Sequence, residues 1–209
     1  MIGVGAFSAG GTGGDGISTS SAAEGGAGGL VTATLTDQST ISTDGVQAHA
    51  LYAQSQGGQG GYLHPKNGAV NFSNEAAGRG GAAGNVVINH GLDDIGSTSV
   101  GSIDTGDDHA HGILAQSLGG GGGSGYQSFV LFANNVGGGG AAGTVTVTGT
   151  SEISTSDNYA IGIVAQSISG GGGNAGQVPS SVDVPDASGN TIGSRFDRHW
   201  WQRRVLGCG

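Results

Sequence analysis

The 209-residue chain contains 48 glycines, far above the usual share of about 7%. Charged residues make up 10% and hydrophobic residues 35%, a combination that does not fit a highly charged disordered chain. Collagen is excluded as well, since there is no Gly-X-Y period and there are only three prolines. The formal net charge of −9 argues against nucleic acid as a partner, because phosphate binding needs clustered cations.

The first residues of the chain, its apolar segments and its cysteine content bear on export, membrane insertion and disulfide bonding. The sequence MIGVGAFSAGGTGG (1–14) has no basic residue and no long apolar stretch, so we do not expect a secretory signal peptide there. No segment reaches the roughly 20 apolar residues of a membrane-spanning helix. Cys208 is the single cysteine, so a disulfide framework within the chain is impossible.

Three similar copies follow one another within residues 1–178, near 25–58, 80–120 and 139–171. In each copy an isoleucine stands seven residues before an alanine, and an Ala-Gln-Ser box and glycines follow. The start of the chain is similar to the glycine-rich end of a further copy. A repeat of this kind predicts an architecture of stacked units.

The copies have the pattern of short strands. TVTVTGT (144–150) alternates valine and threonine, as a half-buried strand does, and LVTATLT (30–36) and NVVIN (85–89) take its place in the other copies. No amphipathic helical stripe is present. Turn sequences such as Thr-Asp-Gly and Ser-Asp-Asn separate the strands.

We therefore predict an all-β fold, a parallel β-helix or β-solenoid in which stacked copies share one core. Successive boxes are 62 and 50 residues apart, so each unit is expected to form about two turns of the stack plus a glycine-rich excursion. The box residues should form ladders along the stack, with amide side chains bonded to one another. The ladder residues are Gln54, Gln116, Gln166, Ala53, Ala115 and Ala165.

The glycine runs after the boxes have two interpretations. They are flexible loops, or they are close-packed turns where only a residue without Cβ fits. The variable inserts beyond them favour flexible excursions, since insertions collect in loops.

These residues resemble a known family. The Gly-Gly-Ala-Gly stretches, the Val/Thr strand, ISTSDNYAIGIVAQS (153–167) and the glycine run are similar to passenger repeats of autotransporters, the type V secretion proteins of Gram-negative bacteria. The resemblance implies a β-solenoid passenger at the cell surface, the outer membrane or outside the cell, with adhesin-like roles. It also implies neighbouring repeats and a C-terminal outer-membrane β-barrel as partners in a full-length parent.

Residues 179–209 depart from that pattern. RFDRHWWQRRVLGCG (195–209) holds both tryptophans, the cysteine and four of the six basic residues. We expect a disordered tail or the product of a shifted reading frame, and no β-barrel is expected in this chain.

Two clusters raise the question of metal binding. GGTGGDGIS (10–18) fits one calcium nonapeptide, with Asp15 as a ligand, but such sites form between successive nonapeptides. Asp107, Asp108, His109 and His111 also lie close together in sequence. The other copies carry Asp44 with His49, and Asp157 and Asn158 with no histidine, so the shared feature is an Asx residue and a turn is the favoured interpretation. We expect no metal or other cofactor.

The sequence predicts no enzyme, because it has no phosphate-binding Gly-Lys-Ser/Thr loop and no Gly-x-Ser-x-Gly elbow. We interpret the chain as a fragment of an autotransporter passenger that acts as a structural stalk or adhesin for an unknown host or surface ligand. A secreted glycine-rich structural protein and a calcium-dependent repeat module are the alternatives. Surface contact is expected at the aromatic residues of the inserts, Tyr62, Phe72, Tyr126, Phe129 and Phe132.

Overall fold

The computed structural model describes most of the repeat region and two strands of the tail. The described residues are 2–17, 20–36, 38–64, 75–92, 101–125, 136–174, 181–185 and 191–195. All regular elements in these ranges are β-strands and none is a helix, so the predicted all-β class is confirmed for this part of the chain.

Fourteen strands are present in the described ranges. They are β1 (Val4–Ala9), β2 (Gly16–Ile17), β3 (Val31–Thr36), β4 (Thr40–Asp44), β5 (Leu51–Gln56), β6 (Leu63–His64), β7 (Val86–Leu92), β8 (Ser102–Gly106), β9 (Ile113–Leu118), β10 (Val145–Gly149), β11 (Glu152–Thr155), β12 (Ile163–Ile168), β13 (Ser181–Pro185) and β14 (Thr191–Arg195).

Equivalent strands of the copies pair side by side in three parallel sheets. The strand orders are β10-β7-β3, β11-β8-β4 and β1-β5-β9-β12. Each copy therefore contributes one strand to each sheet. The expectation of about two turns per copy is wrong for the described residues, because each copy adds one strand to each of these three sheets.

The alternation of side chains explains why these strands share a core. In β5, Leu51, Ala53 and Ser55 are buried, whereas the residues between them face outward. Val31 and Ile41 join Leu51 in one cluster, so the inward faces of all three sheets meet there. Ile41 pairs with Ile103, which pairs with Ile153, and this isoleucine row comes from the seven-residue spacing in the sequence.

One irregularity interrupts the pairing of β3 with β7. The register shifts after Leu35, where Gly91 is the additional residue and has a φ of +61°. A bulge with a left-handed glycine is a common way to insert one residue into a strand pair. Next to it, the side chain of His90 is buried, and its Nδ1 is without a hydrogen-bond partner among the described residues.

The glycine-rich parts of the chain form two sets of ordered segments. Outgoing segments follow the third strand of a copy, and returning segments lead into the next first strand. The outgoing segments are 10–15, 57–62, 119–125 and 170–174, and the returning segments are 21–30, 75–85 and 136–144.

Hydrogen bonds tie each segment to neighbours on two sides. Gly57 and Gly60 donate their N–H groups to Leu118 O (2.8 Å) and Gly121 O (2.9 Å) of the next outgoing segment and its strand. Gly58 and Gly61 donate instead to Gly26 O (2.8 Å) and Ala23 O (3.0 Å) of a returning segment. The outgoing segments thus form one layer and the returning segments a second layer, and hydrogen bonds run both within each layer and between the two.

The burial of these residues repeats every three positions. Gly57, Gly58, Gly60 and Gly61 are buried, whereas Gln59 and Tyr62 are exposed. A three-residue period with backbone bonds to neighbouring segments is consistent with polyproline II helices, which have three residues per turn and no internal hydrogen bonds. A local three-residue period is therefore present although none extends through the whole chain.

The glycines are required because the backbones approach closely. A Cβ at Gly58 would lie 2.0 Å from Gly11 O, and one at Gly120 would lie 1.9 Å from Gly58 O. The expectation of flexible glycine loops is wrong for the described segments, which are close-packed as the alternative required, but as extended segments rather than as turns. Of the variable inserts that favoured flexibility, 59–79 and 124–138, residues 65–74 and 126–135 lie outside the described residues.

Within residues 179–209 the structure describes only two strands. β13 and β14 pair antiparallel, from Ser181 with Arg195 to Pro185 with Thr191. The remaining tail residues, including both tryptophans and Cys208, lie outside the described residues.

Candidate functional site

The three Ala-Gln-Ser boxes lie side by side in the four-stranded sheet. Ala53 pairs with Ala115 and Ala115 with Ala165, and all three occupy the same position of their strands. Ala53 and Ala115 are fully buried. The small side chain suits this row, because the sheet faces the core there.

The glutamines of the boxes form an outward amide ladder. Gln54 Nε2 donates to Gln116 Oε1 at 3.3 Å, and Gln116 Nε2 donates to Gln166 Oε1 at 2.6 Å. Tyr52 Oη also donates to Gln116 Oε1 at 3.1 Å. Partial burial raises the pKa of Tyr52, so its hydroxyl remains a donor at neutral pH. Phe7 continues the row beyond Gln54 and packs edge-to-face on Tyr52.

The serines of the boxes connect the sheet to the glycine segments. Ser55 Oγ donates to Gly29 O (2.8 Å) and accepts from Gly84 N (2.9 Å). One copy further, Ser117 Oγ donates to Gly84 O (2.9 Å) and accepts from Gly143 N (2.7 Å). Each hydroxyl thus joins the returning segments of two successive copies.

Sequence reasoning missed this role of the serines and placed the ladder at alanine and glutamine only. A signal was present, since Ala and Ser stand two positions apart in the box and therefore share the buried face of the strand. Ser55 and Ser117 are fully buried, and a buried hydroxyl needs hydrogen-bond partners.

The cluster of Asp107, Asp108, His109 and His111 lies between β8 and β9, and the prediction of a turn there is confirmed. Asp107 and His109 have φ values of 88° and 60°, and the equivalent Asp157 and Tyr159 have 77° and 60°. Asp157 Oδ2 accepts from Asp107 N at 3.0 Å, and the rings of His109 and Tyr159 stack. These side chains bond successive turns to each other.

The two histidines that follow the turns form a stacked pair. The rings of His49 and His111 lie 4.9 Å apart and within 7° of parallel. His111 N donates to His49 Nδ1 at 3.1 Å, and Ile161 N donates to His111 Nδ1 at 3.1 Å. Burial lowers the pKa of both histidines, and the charge of His111 lowers that of His49 further.

Asp15, the calcium candidate, already has protein partners. Its Oδ1 accepts from Tyr62 N at 2.9 Å, and its Oδ2 lies 2.9 Å from His64 Nε2. The hydrogen bonds from His64 and Tyr62 lower the pKa of Asp15. In the described ranges no group of three or more His, Cys, Asp or Glu side chains could hold a metal ion.

The expected surface aromatics can be located only in part. Tyr62 is 52% exposed at the end of an outgoing segment. The others, Phe72, Tyr126, Phe129 and Phe132, lie outside the described residues. Within the part of the chain that the structure describes, no helix could cross a membrane.

No family model matches the chain, and no curated protein matches it. Among solved structures, the chain has a weak likeness to the springtail antifreeze protein of Granisotoma rainieri, described as a nine polyproline type II helical bundle. The identity is 16% over 80% of this chain and 94% of that chain, with a TM-score of 0.20. At this TM-score the likeness defines neither a shared fold nor a function.

Proposed function

We propose that this chain is a segment of a β-solenoid stalk displayed at a bacterial cell surface, of the kind found in autotransporter passengers, with a structural rather than an enzymatic role. The observation that carries the proposal is the in-register pairing of every box residue across the copies. Such pairing makes one hydrogen-bonded stack, to which further copies in a longer parent would add in the same way.

The stack gains its stiffness from two kinds of contact. The three sheets add one strand each per copy, so the stack lengthens by about 4.8 Å with each copy. The glycine bundle adds backbone hydrogen bonds beside the sheets, and Ser55 and Ser117 tie the two parts together. A stalk needs these contacts and does not need a catalytic centre.

We assign display to the variable inserts 59–79 and 124–138. Tyr62 belongs to the first of these inserts and is exposed at the end of an outgoing segment. Insertions at such a position leave the paired backbones of the stack in place. We therefore assign contact with a surface ligand, in an adhesin-like role, to the ends of the glycine bundle.

The proposal is tested on intact cells of the organism that encodes the chain. Antibodies raised against the recombinant chain should label unpermeabilised cells, and brief external protease treatment should remove the label. An abundant periplasmic protein serves as the control, since it must stay unlabelled until the outer membrane is opened. Labelling that appears only after permeabilisation would contradict surface display.

A further inference from the structure

The stacked histidines lie at the corner between the second and third strands of each copy. His49 precedes β5 and His111 precedes β9, and the same corner of the third copy carries Ile161. Each imidazole accepts a hydrogen bond at Nδ1 from the backbone N–H of the following copy. The rings therefore form part of the contact between copies.

This geometry fixes the protonation state of both rings. An Nδ1 that accepts from a backbone N–H carries no proton, so each neutral ring holds its proton on Nε2. Protonation would place a second proton on Nδ1, against the backbone N–H group that donates to it. We propose that the His49–His111 corner is an acid-sensitive joint, at which protonation breaks the hydrogen bonds between successive copies.

The groups around the joint do not compensate the added charge. The charge of His109 lowers the pKa of His111 further, and Tyr52, packed edge-to-face against His49, is neutral. The carboxylates of the adjacent turn bond to backbone amides, since Asp107 Oδ1 accepts from Asp108 N and Asp108 Oδ1 accepts from Asn158 N, and neither is a cause of the pKa shift of His49 or His111. Two charged rings would also face each other at a centroid distance of 4.9 Å.

The direction of the pH effect follows from these contacts. Histidine in an unfolded chain titrates near pH 6.5, and both rings titrate lower in the folded chain. Above about pH 6.5 both states are neutral and the contact is at full strength. As the pH falls from there through the folded pKa, the unfolded chain takes up more protons and the stability contributed by the corner is lost.

The test compares the wild-type chain with His49→Asn/His111→Asn. Asparagine offers Oδ1 where Nδ1 stood, so it keeps an acceptor and removes the titration. Urea unfolding at about pH 7.5 and about pH 5 should show a larger fall of the folding equilibrium constant in the wild type than in the variant. His90 is present in both chains, so its contribution cancels, and His64→Asn serves as the control.

A local measurement keeps the test decisive if the double variant does not fold. In the wild type, hydrogen exchange of the His111 and Ile161 amides, corrected for intrinsic rates, should accelerate as the pH falls through about 6. The Gln116 amide should accelerate less. Equal pH dependence in wild type and variant, or unchanged exchange at these two amides, would overturn the proposal.

Discussion

Gln116 and Gln166, 50 residues apart in sequence, are joined by a 2.6 Å hydrogen bond from Nε2 to Oε1. Their strands pair in register over six consecutive residues, from Ile163 with Ile113 to Ile168 with Leu118. The amide ladder therefore forms because equivalent residues of successive copies are paired in register.

Gln116→Ala removes the central member of the ladder. The substitution leaves Gln54 Nε2, Tyr52 Oη and Gln166 Oε1 without their partner. We expect a loss of about 1 kcal/mol in the free energy of unfolding, because water replaces part of these bonds at this half-exposed position. Urea denaturation measures the loss, and Gln56→Ala, at an exposed strand end, is the matched control. Equal effects of the two substitutions would contradict a stabilising ladder.

Ser117→Ala should be more costly than the same change in the third copy. Without the hydroxyl, Gly84 O and Gly143 N lose a buried partner, and we expect destabilisation of about 1 to 3 kcal/mol. Ser167 occupies the same box position but is exposed, so water replaces its bond to Gly143 O. Chemical denaturation of both variants tests the difference. A cost for Ser167→Ala that matched or exceeded that of Ser117→Ala would refute the bridging role.

Gly120→Ala tests the packing of the glycine bundle. The new Cβ would lie 1.9 Å from Gly58 O, so the segments must separate, and we expect a loss of roughly 3 kcal/mol or more. Gly171→Ala is the control, since a Cβ there meets no atom within 4 Å. Thermal unfolding of the two variants gives the comparison. If Gly120→Ala were as stable as Gly171→Ala, the segments would not be close-packed.

Calcium should not change the stability of the chain. Asp15 bonds to Tyr62 N and His64, and no described cluster offers three acidic or histidine ligands. The melting temperature is expected to be the same with excess calcium and with excess chelator. A clear rise of the melting temperature with calcium would restore the calcium-module alternative.

The strands and the core could be predicted because their signal is local. Alternation of valine with threonine in TVTVTGT sets which face is buried, and repetition of the box sets which strands are equivalent. The register then follows, because Ile41, Ile103 and Ile153 can be buried together only if the copies align.

The glycine bundle could not be predicted in the same way. Two three-residue sets, Gly57 with Gly60 and Gly58 with Gly61, overlap in one stretch, so the sequence shows a run of glycines rather than a period. Each set faces a different neighbour, and those neighbours come from distant parts of the chain. The serine bridges were missed for a related reason, since their partners are backbone atoms that no side-chain pattern indicates.

The register of the four-stranded sheet is the claim on which the whole account depends. In a Cys208→Ser background, we would compare oxidation of Gln54→Cys/Gln116→Cys with oxidation of the offset pair Gln54→Cys/Leu114→Cys. Paired residues have Cα atoms about 4.8 Å apart, within disulfide range, whereas the offset pair is about 8 Å apart. Rapid cross-linking of the first pair and slow cross-linking of the second is the predicted result, and cross-linking of the offset pair at an equal or higher rate would contradict the stacked arrangement.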